Sequence, residues 1–443
     1  MALFRQWSSS ASPQLRIQAA RTLRGLEGRD SRVALFTLLD DDHPGVRAAV
    51  RHEIVLRPPD EGPDLAAGLL ALRRPRARLE GLRALLERKE DPTPFAADPD
   101  PRVRTPAISS ERVTQDYARW ALERSDGPTR AFALECLKDP SAAAAFQRDR
   151  SEEVRIACAR ITDDPGVLSR LLADRSWRVR LAAVLASERM RRVETVPGLI
   201  DIVGGPPGRV RARAAATLEA LTTIQFGEDE ARWRAWWKRA GPGFTLPEPR
   251  ASAPRKGHTT AALAFRRIPV HSKRLCFVLD ASRSMEKPAP GGKGASRWDL
   301  VVRDLFGVLE RLPPDARFNV VLFRTDVASW SRQLVPAGRG AVSRCRRWVE
   351  SQRPGGWTNL FDAVAVALAD DDVDALYVLT DGVPSRGAET RRRAILDEIE
   401  FLNRYRLVQV NCVQAGGAEG LSKAWRGFLD ELAAAHDGVS VRE

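Results

Sequence analysis

The sequence lacks the features that mark several common classes of protein. No uninterrupted apolar run approaches the roughly 20 residues that span a bilayer, and residues 1–10 contain Arg5 but no apolar stretch behind it. The five cysteines are widely spaced and form no CxxC pair, which argues against a disulfide framework and against a zinc knuckle. These absences predict a cytoplasmic protein with no membrane span and with reduced, mostly buried thiols.

Signatures of catalysis are also missing. The five histidines show no HExxH or other paired-ligand spacing, and neither GxSxG nor a phosphate-cradling glycine loop occurs. We therefore expect a protein that is not an enzyme.

Acidic residues are fewer than basic ones, which gives the chain a net charge of +13. Such an excess first suggests an anionic partner such as nucleic acid. However, it divides almost evenly, +7 over residues 1–250 and +6 over the remainder, so neither half is a basic arm. Only 8 of the 71 basic residues are lysine, a bias that base composition explains as easily as phosphate binding does. Nucleic acid is thus not the expected partner.

The chain is long enough, at 443 residues, for two or three domains, and its composition is that of a folded protein. Its first half is a repeat. An arginine recurs at intervals of 25 to 31 residues, each time with a small or valine side chain three residues later, as at Arg16, Arg47, Arg78, Arg104, Arg130, Arg155, Arg180 and Arg211. Proline or aspartate often stands just upstream, which is typical of helix starts. Each period therefore predicts two short helices.

The repeat resembles short bacterial HEAT-like repeats, most closely over residues 174–183, with an aspartate followed by Val-Arg and then alanine. This resemblance implies an α-solenoid over residues 1–240. Its arginines either line a groove for acidic partners or pair with aspartates of their own or the adjacent repeat, and we favour the pairing. Trp233, Trp236 and Trp237 share one helical face and predict a C-terminal cap, with an aromatic partner-binding patch as the alternative. Residues 241–269, rich in proline and glycine, predict a linker.

Residues 270–443 alternate short apolar strands with helices, which predicts an α/β domain with a largely parallel, doubly wound sheet. Strands are expected at 274–279, 318–323, 375–380 and 406–413. Helices are expected at 298–312 and near 338–351, 359–369, 389–403 and 420–435. Ligands of such sheets bind beyond the carboxyl ends of the strands.

Oxygen-bearing side chains cluster at those strand ends. The first strand runs into Asp280, Ser282 and Ser284 as a DxSxS motif, Thr358 lies in a later loop, and Asp381 follows another strand. Two carboxylates and three hydroxyls suit Mg²⁺ or Mn²⁺ and do not suit zinc. The alternative is that Asp280 only caps a helix and that Asp381 only forms part of a turn.

With these five residues, the second half resembles a von Willebrand factor type A (VWA) domain with a complete metal-ion-dependent adhesion site (MIDAS). Residues 268–272 are similar to bacterial members. The resemblance implies that Asp280, Ser282, Ser284, Thr358 and Asp381 hold the metal, and that a partner protein supplies a carboxylate to it. Trp357 either contacts that partner or packs under its loop. Asp370, Asp371, Asp372 and Asp374 suggest either a second cation or, as we favour, a solvated acidic turn.

These features predict a non-enzymatic scaffold that binds one protein through its repeats and another through a divalent ion. One alternative is an adaptor subunit of an AAA-type ATPase, a role that some bacterial A-type domains have. Another follows from the resemblance of HEAT-like proteins to bilin lyases and DNA alkylation-repair glycosylases, although no catalytic His or Cys cluster stands out in the repeats.

Overall fold

The computed structural model describes residues 2–24, 26, 28–57, 62–108, 115–124, 126–248, 263–289, 294–415 and 425–442. It divides into two units, Met1–Val167 and Leu168–Glu443. None of the helices in these ranges is both long and apolar enough to cross a bilayer. The five cysteines are free, and all except the half-buried Cys136 are buried, as the sequence predicts.

The described part of the first unit consists of short helices. They are α1 (Ala2–Trp7), α2 (Pro13–Arg21), α3 (Arg29–Leu38), α4 (Pro44–Val55), α5 (Gly62–Leu70), α6 (Pro75–Glu87), α7 (Pro101–Ile108), α8 (Gln115–Arg124), α9 (Gly127–Leu137), α10 (Ala142–Phe146), α11 (Glu152–Ile161) and α12 (Pro165–Leu172), the last of which crosses into the second unit. A proline at the first position starts α2, α4 and α6, where its missing N–H and restricted φ cost nothing. Contacts join α2 to α4, α4 to α6, α7 to α9 and α9 to α11. The HEAT-like solenoid itself stays a prediction.

The repeat arginines bind the protein's own backbone. Seven of the eight donate a hydrogen bond from Nη1 to the carbonyl oxygen six residues earlier, just before the helix that carries the arginine. The pairs are Arg16 with Ser10, Arg47 with Asp41, Arg78 with Leu72, Arg104 with Asp98, Arg155 with Asp149, Arg180 with Asp174 and Arg211 with Gly205. Each guanidinium thereby holds the turn that precedes its helix.

Carboxylates of a later turn complete the binding of several of these arginines. Arg16 pairs with Asp41, Arg78 with Asp98 and Arg130 with Asp149, each at 2.6 Å, and Arg104 pairs with Asp126. Arg78 and Asp98 are both buried. The expected pairing with aspartates is confirmed for these four arginines. Because their guanidinium groups are bound within the protein, they do not line a groove for acidic partners.

The second unit begins with further helices, α13 (Trp177–Met190), α14 (Val196–Val203), α15 (Arg209–Thr222) and α16 (Glu230–Ala240). Trp233 of α16 is fully buried, packs edge-on against Phe226 and donates its indole N–H to the Gly227 carbonyl. Trp236 and Trp237 are half-buried, and both contact Phe244. The three indoles thus form one aromatic cluster, whose role as a solenoid cap stays a prediction.

A seven-stranded mixed sheet follows in the order β5-β4-β3-β7-β8-β9, with β6 also paired to β4. Its strands and the preceding hairpin are β1 (Ala264–Phe265), β2 (Ile268–Pro269), β3 (Arg274–Asp280), β4 (Arg317–Phe323), β5 (Val327–Ser329), β6 (Val335–Pro336), β7 (Ala375–Thr380), β8 (Gln409–Gln414) and β9 (Ser440–Arg442). Strands β4, β3, β7, β8 and β9 are parallel, whereas β5 and β6 pair with β4 in the antiparallel sense.

Helices cover both faces of this sheet. They are α17 (Arg297–Leu309), α18 (Arg339–Ser351), α19 (Leu360–Leu368), α20 (Arg392–Asn403) and α21 (Phe428–Ala435). One buried cluster joins α17 and α18 to one face, and a second joins α19, α20 and α21 to the other. The strands are apolar on both faces because both are buried.

The predicted elements are present with shifted ends. Strand β8 starts at Gln409 and not at 406, because the backbone N–H groups of Arg406 and Leu407 still bond to Asn403 at the end of α20. Helix α21 starts at Phe428, and residues 420–424 of the helix expected near 420–435 lie outside the described residues. Residues 249–262 of the expected linker also lie outside them. The β1–β2 hairpin falls at the end of that linker range, and its Phe265 is buried against Phe277 and Tyr377.

Helices α13 and α15 lie against the edge of the sheet where β3, β7 and β8 start. Arg209, only 6% exposed, donates to the Asp374 carbonyl at 3.0 Å, to the Leu407 carbonyl and to the Asp437 carboxylate. The Arg274 guanidinium lies 4.5 Å from the centre of the Trp177 ring. These helices, assigned from the sequence to the first domain, therefore belong to the same unit as the sheet.

Candidate metal centre

The carboxyl ends of β3 and β7 meet at one edge of the sheet. These strands pair in parallel, with Leu279 opposite Leu379, so Asp280 and Thr380 leave the sheet side by side. The Thr380 hydroxyl donates to Asp280 Oδ2 at 2.6 Å. Thr380 was not among the predicted site residues, although its position directly before Asp381 is a signal that could have identified it.

The DxSxS loop closes on Asp381 through hydrogen bonds. The Ser282 N–H donates to Asp280 Oδ1 at 2.8 Å, and the Ser282 and Ser284 hydroxyl oxygens lie 3.0 Å apart. The Ser284 hydroxyl donates to Asp381 Oδ1 at 2.6 Å. Four of the five predicted residues thus form one connected set.

Thr358, the fifth predicted residue, lies on the loop before α19, and this loop is tied to the other two. The Gly355 N–H donates to the Ala281 carbonyl at 2.8 Å, and a Cβ added at Gly382 would lie 3.5 Å from Thr358 Oγ1. Gly356 has φ +72, and a Cβ there would collide with Thr325 Oγ1, so this turn requires the conformational freedom of glycine. Three loops therefore bring the five side chains to one place.

Burial makes the charge of Asp280 costly. Its side chain is inaccessible to solvent, and this desolvation raises the pKa of Asp280 to about 6, although hydrogen bonds from Ser282 and Thr380 act in the opposite direction. A carboxylate buried in this way is stabilised by a nearby cation.

The set fits a hard divalent cation by its chemistry. All its donors are carboxylate or hydroxyl oxygens, which Mg²⁺ and Mn²⁺ prefer, and no thiolate or imidazole is among them. Within the described ranges, no group of three or more His, Cys, Asp or Glu side chains is arranged to bind a metal. Any metal held here would thus depend on the serine and threonine hydroxyls as well as on the two aspartates.

Arg297, the first residue of α17, contributes a fixed positive charge that motif spacing does not reveal. Its guanidinium donates to Asp381 Oδ2, on the carboxylate whose other oxygen accepts from Ser284. A capping box formed by Ser296 and Asp299 holds the start of α17. Arg297 therefore neutralises part of the charge that a cation would meet at this edge.

Replacing Arg297 by glutamine is expected to tighten Mg²⁺ binding about tenfold at low ionic strength, because glutamine can still donate to Asp381 but carries no charge to repel the ion. Isothermal titration with MgCl₂ measures this change. Arg303→Gln, at an exposed position of the same helix, is the matched control. Weaker Mg²⁺ binding by Arg297→Gln would mean that the guanidinium mainly orients Asp381.

Solvent exposure and ion pairing decide between the alternatives for Trp357 and for the aspartates before β7. Trp357 is 57% exposed, so it does not pack under its loop. The aspartates before β7 are engaged within the protein: Asp371 pairs with Arg406, Asp372 with Arg317 and Asp374 with Arg274, while Asp370 accepts from the Leu334 N–H. This pairing favours an ion-paired acidic turn over a second cation site.

Comparison with known proteins identifies relatives of part of the chain. No family model matches it. It is 25% identical over 170 residues to human von Willebrand factor A domain-containing protein 3B, which covers 38% of this chain and 12% of the relative. It is 29% identical over 184 residues to human inter-alpha-trypsin inhibitor heavy chain H4, covering 38% of this chain and 18% of the relative. The chain thus spans less than a fifth of the length of either relative.

Among solved structures, a von Willebrand factor type A protein from Catenulispora acidiphila shares 18% identity, with 40% of each chain covered and a TM-score of 0.32. The sequence homologues with a VWA domain cover about 38% of the chain.

Proposed function

We propose that this protein is a non-enzymatic scaffold whose VWA domain binds a partner carboxylate through Mg²⁺ or Mn²⁺ at a MIDAS formed by Asp280, Ser282, Ser284, Thr358 and Asp381. The supporting observation is the convergence of these residues from three loops on one sheet edge, with a fully buried carboxylate at its base. Homology to VWA domains, which serve in protein interaction and adhesion, supports the same role.

Each residue has a physical task in this proposal. Asp280 orients the Ser282 backbone and the Thr380 hydroxyl, and its buried charge favours a cation. Ser282, Ser284 and Thr358 offer neutral oxygens, and Asp381 is held by Ser284 on one oxygen and by Arg297 on the other. When bound, the cation would supply an electrophilic position for a partner carboxylate, with no bond made or broken.

The helical segment before residue 240 is proposed as a second protein-binding surface. Its repeat arginines already bind backbone carbonyls and carboxylates of the protein, so the surface would be formed by other side chains. Val33 and Leu56 are large apolar side chains that are more than half exposed there.

Affinity capture from a lysate of the source cells tests the metal-dependent part. The baits are the wild-type chain and Asp280→Asn, each in Mg²⁺ and in EDTA, with Asp326→Asn as a matched variant at an exposed carboxylate. We expect a partner that is held by wild type and Asp326→Asn in Mg²⁺ only. Recovery of an ATPase would make the chain an adaptor of a remodelling machine. If the same proteins bound under every condition, the metal-dependent part of the proposal would be wrong.

A further inference from the structure

Three side chains surround the predicted metal ligands without belonging to them. Arg283 lies between Ser282 and Ser284, and its N–H donates to the Gly356 carbonyl. Trp357 directly precedes Thr358. The Arg386 N–H donates to the Thr358 carbonyl at 3.2 Å. All three residues therefore flank the predicted ligands Ser282, Ser284 and Thr358, either along the chain or through a backbone hydrogen bond.

The two arginines are free to bind a ligand. Arg283 is exposed and Arg386 half-buried, and within the described ranges neither guanidinium has a hydrogen bond or an ion pair. Two neighbouring arginines are already paired within the protein, Arg297 with Asp381 and Arg324 with Asp326. An arginine fork without a partner is suited to bidentate binding of a carboxylate.

Positive charge predominates around this edge. The basic side chains on the described parts of the loops that bear the site, together with the first residue of α17, are Arg283, Lys287, Arg297, Arg324, Arg353, Arg386 and Arg391. Outside the ligand set, the acidic ones on the same loops are Glu286, Asp326 and Glu389; Glu286 and Asp326 are exposed, and Asp326 is paired with Arg324. Asp362 and Glu389, near Arg386, are occupied by the Ala388 N–H and by Arg391. Basic side chains thus outnumber acidic ones on the described loops of this edge.

We propose that the partner presents an acidic peptide segment, in which carboxylates flanking the metal-binding one pair with Arg283 and Arg386 and an apolar side chain packs on Trp357. This inference rests on the proposed function, and it adds the chemistry of the partner. A segment with neutral flanks would leave both forks unpaired and lose the electrostatic gain. The exposed indole supplies the apolar contact that anchors such a segment.

Fluorescence anisotropy of the full chain tests the inference with two labelled peptides. The acidic peptide is Glu-Glu-Leu-Asp-Glu-Glu, and the comparison peptide has glutamine in place of each glutamate. We expect the acidic peptide to bind about tenfold more tightly in Mg²⁺ and to be released by EDTA. The double variant Arg283→Gln/Arg386→Gln should remove this preference without changing the melting temperature. Arg339→Gln/Arg347→Gln, at exposed positions of α18, should retain it.

The other outcomes separate the two proposals. Equal, Mg²⁺-dependent binding of both peptides would overturn the inference and leave the metal-dependent binding intact. A tenfold preference for the acidic peptide that persists in EDTA or in the double variant would show non-specific charge attraction and overturn it as well. Failure of both peptides to bind at millimolar concentration would also reject it, while the capture experiment would still decide the proposed function. Tighter binding of a thymidine oligonucleotide than of the acidic peptide would assign the edge to nucleic acid instead.

Discussion

Asp280→Asn is expected to abolish Mg²⁺ binding and, at the same time, to stabilise the metal-free protein at neutral pH. The carboxylate is fully buried and its pKa is raised to about 6, so ionising it in the folded state opposes folding. A shift of about two pKa units corresponds to at most about 3 kcal/mol. Asparagine keeps an oxygen that can accept from the Ser282 N–H and carries no charge.

The pH dependence of this effect has a definite sign. A folded pKa above that of the unfolded chain means that the protonated carboxyl contributes stability, fully below about pH 4. This contribution is lost as the pH rises through about 6. In EDTA, wild type should therefore lose stability relative to Asp280→Asn between about pH 4 and pH 6, and the difference should be constant above that range.

Thermal unfolding in EDTA and in Mg²⁺, together with titration calorimetry, measures both effects. Mg²⁺ should raise the melting temperature of wild type and leave that of Asp280→Asn unchanged. Asp326→Asn should behave as wild type because its carboxylate is exposed. An equal gain from Mg²⁺ in wild type and Asp280→Asn would place the metal elsewhere.

Arg209→Met is expected to loosen α13 and α15 from the sheet and to lower the free energy of unfolding of the second unit by about 2 kcal/mol. Burial lowers the pKa of Arg209, since the guanidinium is removed from water, with the Asp437 and Asp374 carboxylates acting against this. Methionine fills similar space but donates no hydrogen bond. The Leu407 carbonyl and the Asp437 carboxylate would each lose a donor.

Hydrogen exchange of the full chain, read over α15 and the start of β8, detects this loosening directly. Arg239→Met, at an exposed position of α16, is the control that separates loss of the interface from loss of charge. Unchanged protection of α15 in Arg209→Met would show that apolar packing alone holds the helices in place.

Much of the second unit was predictable, because strand and helix patterns are local. The apolar runs at Arg274–Asp280 and Ala375–Thr380 form strands that differ from the predicted spans by at most one residue. The short antiparallel strands β5 and β6 were not predicted, because two or three residues carry too little pattern to identify a strand.

The candidate site shows the same division between local and long-range information. The DxSxS motif and Asp381 were predicted to lie together because residues at the carboxyl ends of neighbouring parallel strands meet. Thr358, which follows a helix, was added to them by the resemblance to VWA domains. Arg297 was not found, since it pairs with a residue 84 positions away. The arginine repeat was visible in the sequence, but its carbonyl partners six residues upstream were not, because the periodic spacing does not indicate which atoms a side chain binds.

The sequence by itself determined the alternation of strands and helices, the periodic helical segment and the residue types that gather at one sheet edge. These depend on hydrophobic periodicity and chain direction, which are local properties. Only the tertiary structure decided that Arg297 faces Asp381, that Arg283 and Arg386 are left without partners among the described residues, and that Arg209 joins the last helices to the sheet. Such pairings depend on which surfaces pack together, and that is settled by burial over the whole unit.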